Sequence, residues 1–161
     1  MFEKGDYVVY PGHGVSVIED IRNIQVNGKE QKVYVLRPLK WKTTVIIPVE
    51  SLKALGIREV IKPWEADQVL ELLSQPEECQ SDLTQPWNQR FRQYNEKLNS
   101  GSIFEVARVL KELCLIKQYK KLSFGEKKIM ETALNLLSQE LAIAKSAQEE
   151  EIKKEIQKRL P

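Results

Sequence analysis

Residues 23–39, NIQVNGKEQKVYVLRPL, carry the clearest fold signal of this 161-residue chain. Asn27 and Gly28 stand between two extended runs, and this dipeptide is the strongest short-range signal for a β-hairpin with a type I′ turn. Three further runs typical of strands flank the hairpin: YVVY (7–10), GVSVIEDI (14–21) and TTVIIPV (43–49). Four or five short strands in about 50 residues predict a small, strongly bent β-barrel with little room for a ligand cavity.

The apolar pattern changes from strand to helix at Pro63. Residues 64–73, WEADQVLELL, predict a short helix, and a second helix is predicted over residues 86–99. The tail, EEEIKKEIQKRL (149–160), has pairs of opposite charge four residues apart but only a narrow apolar stripe. We therefore expect this tail helix either to fray or to pack on a neighbour.

Two capping boxes predict the starts of two longer helices. In each, a Ser is followed three residues later by a Glu: Ser102 with Glu105, and Ser123 with Glu126. The chain is thus predicted to belong to the α+β class, with a small β-barrel module over residues 1–60 and an all-α module over residues 64–161.

Charge is distributed unevenly along a chain whose formal net charge is only +2. Residues 64–83 contain six acids and no Lys or Arg, whereas residues 84–128 contain ten Lys or Arg and four acids. This contrast indicates a basic surface beside an acidic segment, because a uniformly solvated surface would not show it. A local positive field of this kind is typical of proteins that bind DNA or RNA.

Trp87 lies in the basic stretch, directly after Pro86 and near Arg90, Arg92 and Lys97. At the start of a helix its indole ring would stack on a base or enter a base step, while the arginines neutralise phosphates. Arg90 and Arg92 point about 200° apart on a helix. One of them is therefore expected to flank the phosphate contact or to pair with an acid.

Lys127 and Lys128 fall in the first turn of a predicted helix, where positive charge opposes the helix dipole. Exposed cations that break a local rule indicate a functional surface. The alternative for the neighbouring tryptophan is burial: Trp87 would then belong to the core, as we expect for Trp41 and Trp64.

No pattern typical of catalysis or metal binding is recognisable in the sequence. His13 is the single histidine and stands in a turn between two glycines. Cys79 and Cys114 lack the spacing of a metal site or a disulfide framework, and we expect a loop thiol and a core residue, respectively. The sequence therefore predicts a protein that is not an enzyme and that uses neither a cofactor nor a metal.

No apolar run approaches the 18 or so residues of a membrane span, and the N-terminus lacks the apolar core of a signal peptide. A composition with 42% hydrophobic and 30% charged residues is ordinary for a soluble globular protein. These features predict a cytoplasmic protein without a membrane partner.

Four segments, in this order, resemble the CarD/CdnL family of bacterial transcription regulators. They are FEKGDYVVYPGHGV (2–15), TTVIIPVES (43–51), PWNQRFRQYNEKLNSGS (86–102) and LSFGEKKIMETALNLLSQELA (122–142). The resemblance covers nearly the whole chain. It implies a monomer in which a Tudor-like (SH3-like) β module docks on the β subunit of RNA polymerase and a helical module meets promoter DNA at the upstream edge of the melted bubble.

The resemblance also implies roles for particular residues in the helical module. Trp87 matches a tryptophan that enters the minor groove and slows collapse of the bubble. Arg90, Arg92 and Lys127 match cationic positions, and Gln89 stands where some relatives carry another cation. Together with the pattern itself, this gives a predicted DNA-binding set: Trp87, Arg90, Arg92, Lys97, Lys127 and Lys128.

In the β module, Ile24 and Ile46 stand where some relatives place arginines that contact the polymerase. The interface would therefore depend on pairing along a strand edge or on nearby cations. The predicted polymerase-binding residues are Thr44, Val45, Ile46, Ile47, Arg22 and Lys42, with Lys40 as a further candidate.

The function predicted from the sequence is transcription regulation by a nucleoid-associated protein that stabilises the open promoter complex. Two alternatives stay open. One is a protein–protein adaptor of the transcription machinery in which Trp87 anchors a partner protein. The other is a general binder of single-stranded nucleic acid that would act equally well without polymerase.

Overall fold

The computed structural model describes residues 2–40, 42–76 and 83–161. The chain forms two compact units, one ending at Val60 and the other beginning at Ile61. The first unit is an antiparallel sheet and the second is built from helices, so the predicted α+β class, with a Tudor-like β module followed by a helical module, is confirmed.

The sheet contains five strands in the order β4-β3-β2-β1-β5 within the described residues. Their bounds are Tyr7–Tyr10 (β1), Gly14–Val26 (β2), Lys29–Pro38 (β3), Val45–Pro48 (β4) and Arg58–Glu59 (β5). A 3₁₀ turn, Val49–Ser51, and a one-turn helix α1, Leu52–Leu55, connect β4 to β5. The order places β4 at one edge of the sheet.

The β2–β3 hairpin forms as predicted. Asn27 has a φ of 54° and Gly28 a φ of 77°, and two successive positive φ angles define the expected type I′ turn. A bulge between Ile18 and Asp20 shifts the register of β2 against β3 and lets the long strand bend. The small core of this unit includes the buried Val8, Ile18, Tyr34, Leu36 and Ile47.

The second unit contains five longer helices among the residues described. They are Pro63–Ser74 (α2), Trp87–Leu98 (α3), Ile103–Lys117 (α4), Phe124–Lys145 (α5) and Glu149–Arg159 (α6). Their apolar stripes meet in one continuous core that holds most of the unit's buried leucines, isoleucines and valines. The tail helix α6 joins this core through Ile152 and Ile156, so it packs rather than frays.

One of the two predicted capping boxes forms. The backbone amide of Glu126 donates to Ser123 Oγ at 3.2 Å, and the Ser123 amide donates to Glu126 Oε1 at 2.9 Å. The box predicted at Ser102 is wrong, because no side-chain bond caps α4 there. Glu105 instead accepts a hydrogen bond from Arg108, one turn further along the same helix, at 2.5 Å.

The tryptophan and cysteine predictions have mixed outcomes. Trp64 is 62% exposed on α2, so the prediction that it packs in the core is wrong. Cys114 is buried in the helical core as predicted, and burial raises the pKa of its thiol. Trp41 and Cys79 lie outside the described residues.

Candidate nucleic-acid interface

The N-terminal turns of α3 and α5 lie side by side, and Trp87 and Arg90 of α3 meet Gly125 and Glu126 of α5 there. Pro86 caps α3 with a φ of −56° and a ψ of 143°, and Trp87 is the first helical residue. The Trp87 ring is half-buried and packs against the helical core. It is thus neither sealed in the core, as the alternative predicted, nor free of contacts on the surface.

The Trp87 ring lies against Gly125, in the first turn of α5. A Cβ atom built on Gly125 would stand 2.6 Å from Cζ2 of Trp87, far closer than carbon atoms pack. Only glycine therefore allows the indole ring to approach the α5 backbone this closely. The position of the ring is set by two elements that are distant in the sequence.

A buried ion pair fixes α3 against α5 directly beneath this ring. Nη2 of Arg90 donates to Oε2 of Glu126 at 2.9 Å and to the Tyr94 hydroxyl at 3.1 Å. Arg90 is only 6% exposed and Glu126 only 1%. The guanidinium carbon lies 5.5 Å from the centre of the Trp87 ring, within the range of a cation–π contact.

The other oxygen of Glu126 is also occupied. Oε1 accepts from Nζ of Lys120 at 3.0 Å and from the Ser123 amide at 2.9 Å. Burial by itself would raise the pKa of Glu126, but the bonds from Ser123, Arg90 and Lys120 outweigh it and lower the pKa to about 2. Glu126 is therefore ionised at neutral pH and holds two cations and a helix terminus together.

This arrangement corrects the role predicted for Arg90. Its side chain is buried and its guanidinium is bound to Glu126, so it does not face solvent as a phosphate contact would require. The expectation that one of the two arginines pairs with an acid fits Arg90, although the acid lies 36 residues away in the sequence. Arg92, two residues further along α3, is exposed.

The remaining predicted cations are exposed but do not form one cluster. Lys127 and Lys128 lie near the start of α5. Lys128 is three residues after Gly125 and on a neighbouring part of the helix surface, whereas Lys127 points about 200° away from Gly125. Arg92 points away from the buried face of α3, and Lys97 lies in the last turn of that helix, remote from Trp87. The compact part of the site is therefore Trp87 with Lys128, which lies one turn after Gly125 on α5.

Two exposed aromatic residues lie near the same helix starts, and neither was predicted from the sequence as a site residue. Phe124, the first residue of α5, is 77% exposed, and the ammonium group of Lys128 lies 5.3 Å from its ring centre. Phe91 lies one turn after Trp87, with 5.7 Å between ring centres. The sequence did carry a signal for Phe124. It is a large apolar residue directly after the Ser123 cap, a position where no contact with the core is required.

Five of the six predicted polymerase-binding residues lie on the edge strand β4 or in the loop before it, and Arg22 lies on β2, two strands away. Strand β4 pairs with β3 and with no other strand among the described residues, which leaves its second edge open. Ile46 is 55% exposed and Val45 is half-buried, while the side chain of Ile47 points into the core. Thr44 and Lys42, in the loop before β4, are exposed.

Ile46 belongs to the face of the sheet opposite the small core. The register pairs Asp20 with Val35 and Val35 with Ile46, and it places Arg22 and Ile24 on the same face. Nε of Arg22 donates to Asp20 at 2.8 Å, an exposed pair that lowers the pKa of Asp20 through this bond. This face therefore presents exposed aliphatic groups beside an Arg that already has a partner.

Neither a metal centre nor a membrane span is visible in the residues described. No group of three or more His, Cys, Asp or Glu side chains there is arranged to hold a metal ion. None of the helices in these residues is long and apolar enough to cross a membrane.

Comparison with known proteins defines the class. The model for the CarD-like/TRCF RID domain matches residues 2–61, and the model for the CarD C-terminal domain matches residues 68–157. The chain is thus a transcription regulator built from these two domains in sequence. It belongs to the CarD family.

A relative from Bacillus subtilis (strain 168) supports this assignment. The protein YdeB, which bears the name of a transcription factor, is 33% identical over 153 residues, covering 95% of this chain and 98% of the relative. The similarity therefore extends over both units.

Proposed function

We propose that the helical unit holds promoter DNA at the upstream edge of the melted bubble while the β unit holds the β subunit of RNA polymerase. The observation that carries the DNA half is the surface formed by Trp87, Phe91 and Phe124 with Lys128. No catalytic step is assigned to the protein.

The aromatic residues would act as a wedge, that is, as side chains inserted between two stacked base pairs. Apolar side chains that enter a base step unstack it at a cost of a few kcal/mol, so they act best where the duplex is already distorted. Trp87 is suited to this task because Gly125 and the buried Arg90–Glu126 pair fix its ring before DNA arrives. A ring fixed in advance loses little conformational entropy on binding.

The cations supply affinity without sequence specificity. Lys128, one turn after Gly125 on α5, would neutralise a phosphate beside the wedge, and the exposed Lys127, Arg92 and Lys97 would extend this contact along the DNA. Arg90 contributes by positioning the ring and not by touching phosphate. A surface of this kind recognises the shape of the DNA more than its bases.

The β unit supplies the tether. The open edge of β4 offers backbone groups for pairing with a strand of the polymerase, and the exposed Ile46 on that strand favours an apolar contact. Ile24 lies on the same face of the sheet, on β2. Arg22 would contribute less, since Asp20 already binds it. Lys42, which is exposed in the adjoining loop, is the candidate for a polar contact.

The two contacts reinforce each other. A weak contact with DNA becomes effective once the polymerase keeps the helical unit close to the promoter, because the second binding event is then intramolecular. A protein that prefers the opened junction to the closed duplex shifts the equilibrium toward the open complex by that difference in affinity. Regulation then depends on how long each promoter stays open.

The test is a fluorescence anisotropy titration of forked and fully paired DNA across a range of salt concentrations. Trp87→Ala should weaken binding to the fork by tenfold or more while binding to the paired DNA changes little. Trp64→Ala is the matched control, because Trp64 is an exposed tryptophan on α2 of the same unit. Equal binding of wild type and Trp87→Ala to the fork would refute the wedge.

The half-burial of Trp87 is also compatible with a second candidate function, that of a protein–protein adaptor of the transcription machinery. A partly buried tryptophan next to exposed phenylalanines is also typical of the centre of a protein–protein interface. In that case the wild-type protein would show only background binding to every DNA in the titration.

A further inference from the structure

A groove beside the candidate interface has no role in the function described so far. It lies where α4 ends and α5 begins, has a volume of about 780 Å³, and is called the lysine groove below. Its lining includes Lys117, Tyr119, Lys121, Lys127, Met130 and Leu134. Its volume falls within the range of about 300–1,000 Å³ that is usual for pockets that enclose a small ligand.

The rim of the lysine groove is strongly positive. Four lysines line it, at positions 117, 120, 121 and 127, against a single acid, Glu131. Lys120 is bound to Glu126, but no carboxylate of the described residues lies within 4.0 Å of the other three ammonium groups. This charge favours an anionic ligand with more than one negative group.

The interior of the groove is apolar, which suits the face of a base. Leu122 is buried, and Met130 and Leu134 are half-buried, so together they form an apolar floor. Tyr119 is 75% exposed at the rim, which leaves its ring available for stacking. Proteins that bind single strands combine these two elements: a cationic track for phosphates and aromatic side chains for bases.

The position of the groove relates it to the DNA contact. Lys120 lines the groove and donates to Glu126, which also binds Arg90 beneath the Trp87 ring. Lys127 lines the groove as well, two residues after the glycine that contacts Trp87. A strand that leaves the duplex at Trp87 would therefore need to travel only a short distance to reach the groove. A closed duplex cannot place a base in the groove, because its bases are paired and stacked and only their edges are accessible in the major and minor grooves.

We propose that the lysine groove binds an unpaired nucleotide of the strand released at the junction. The base lies against Tyr119 and the apolar floor, and its flanking phosphates lie against Lys117 and Lys121. This inference rests on the proposed function, because it requires the helical unit to stand at a duplex edge. In this proposal the helical unit has two contacts with DNA: the wedge keeps the duplex open, and the lysine groove binds the separated strand.

The test compares three DNAs of the same duplex: one blunt, one with a short single-stranded overhang, and one whose overhang carries abasic sugars. Wild type should bind the overhang DNA at least about fivefold more tightly than the blunt DNA, since stacking of one base on an aromatic side chain is worth that factor or more. The abasic overhang should lose most of this gain.

Two variants locate the gain in the groove. Tyr119→Ala and Lys121→Glu should abolish it, whereas Tyr119→Phe, which keeps the ring, should retain it. Lys154→Glu reverses an exposed charge on α6, away from the groove, and is the control for the general electrostatic effect. Circular dichroism of each variant verifies that the helical unit is folded.

The outcomes separate this proposal from the function on which it rests. Equal binding of blunt and overhang DNA by wild type, or a gain that survives in both Tyr119→Ala and Lys121→Glu, overturns the groove proposal. Displacement of the overhang gain by inorganic phosphate alone, or full retention of the gain with abasic sugars, overturns the role of the base. An unchanged fork affinity in Trp87→Ala refutes the wedge, whatever the overhang does.

Discussion

Gly125→Ala tests how the position of Trp87 is determined. The new Cβ atom would lie 2.6 Å from Cζ2 of the indole ring, whereas carbon atoms pack at about 3.5–4.0 Å, so the ring must move outward by about 1 Å. Overpacking of this kind costs about 1–3 kcal/mol. Part of this cost is offset, because alanine stabilises a helix by up to about 1 kcal/mol relative to glycine at the same position. We expect a net loss of roughly 1 kcal/mol in the free energy of unfolding.

A double-mutant cycle isolates the contact. Urea unfolding followed by circular dichroism is measured for wild type, Gly125→Ala, Trp87→Ala and the double variant. Once the ring is removed, Gly125→Ala should become neutral or stabilising, which gives a coupling free energy of about 1–3 kcal/mol. The affinity of Gly125→Ala for forked DNA should fall as well, although no charge has changed. A penalty for Gly125→Ala that persists without Trp87 would show that the ring contact is not its cause.

Three further predictions concern charge and the sheet edge. The pKa of Glu126 is lowered from 4.5 to about 2, so its contribution, on the order of 3 kcal/mol, is fully present above pH 4.5 and is lost as the pH falls towards 2. Glu126→Gln should therefore destabilise the protein at pH 7, by a comparable amount, and flatten the acid limb of its stability curve. Lys128→Glu should weaken binding of forked DNA and reduce the slope of log affinity against log salt by about 0.9 for each phosphate that the variant no longer neutralises. Ile46→Asp should reduce binding to the polymerase β subunit by about tenfold or more, since it places a charge in an apolar contact.

Each of these three predictions has its own control and a result that would contradict it. Unfolding of Glu126→Gln and wild type with the same acid dependence would show that Glu126 does not carry the pH effect. A salt slope in Lys128→Glu equal to that of Lys154→Glu would remove Lys128 from the phosphate contact. Leu55→Asp, at an exposed apolar residue on α1 of the same unit, controls for Ile46→Asp, and equal polymerase binding by the two variants would exclude the β4 edge.

Local signals in the sequence predicted the elements well. Asn27 and Gly28 define the hairpin, because a type I′ turn demands two positive φ angles at adjacent residues. Ser123 and Glu126 define the start of α5, because both partners of the capping box lie within one turn. Such contacts depend only on residues a few positions apart, and the sequence shows those directly.

The details of the site depend on contacts that no local pattern shows. Arg90 was expected to face phosphate, yet its partner Glu126 lies 36 residues away and both are buried. Gly125 gives no sign in the sequence that an indole ring lies on it, and the exposure of Trp64 depends on which face of α2 meets the core. The sequence could identify the basic-aromatic segment, but only packing separates the residues that face solvent from those that hold them in place.

The most direct test of the central claim is the lifetime of open promoter complexes formed by RNA polymerase with each variant present. Trp87→Ala should still bind the polymerase but should shorten the lifetime to that measured without the protein, while Trp64→Ala should match wild type. If open complexes live as long with Trp87→Ala as with wild type, the claim that this ring keeps the bubble from closing is contradicted.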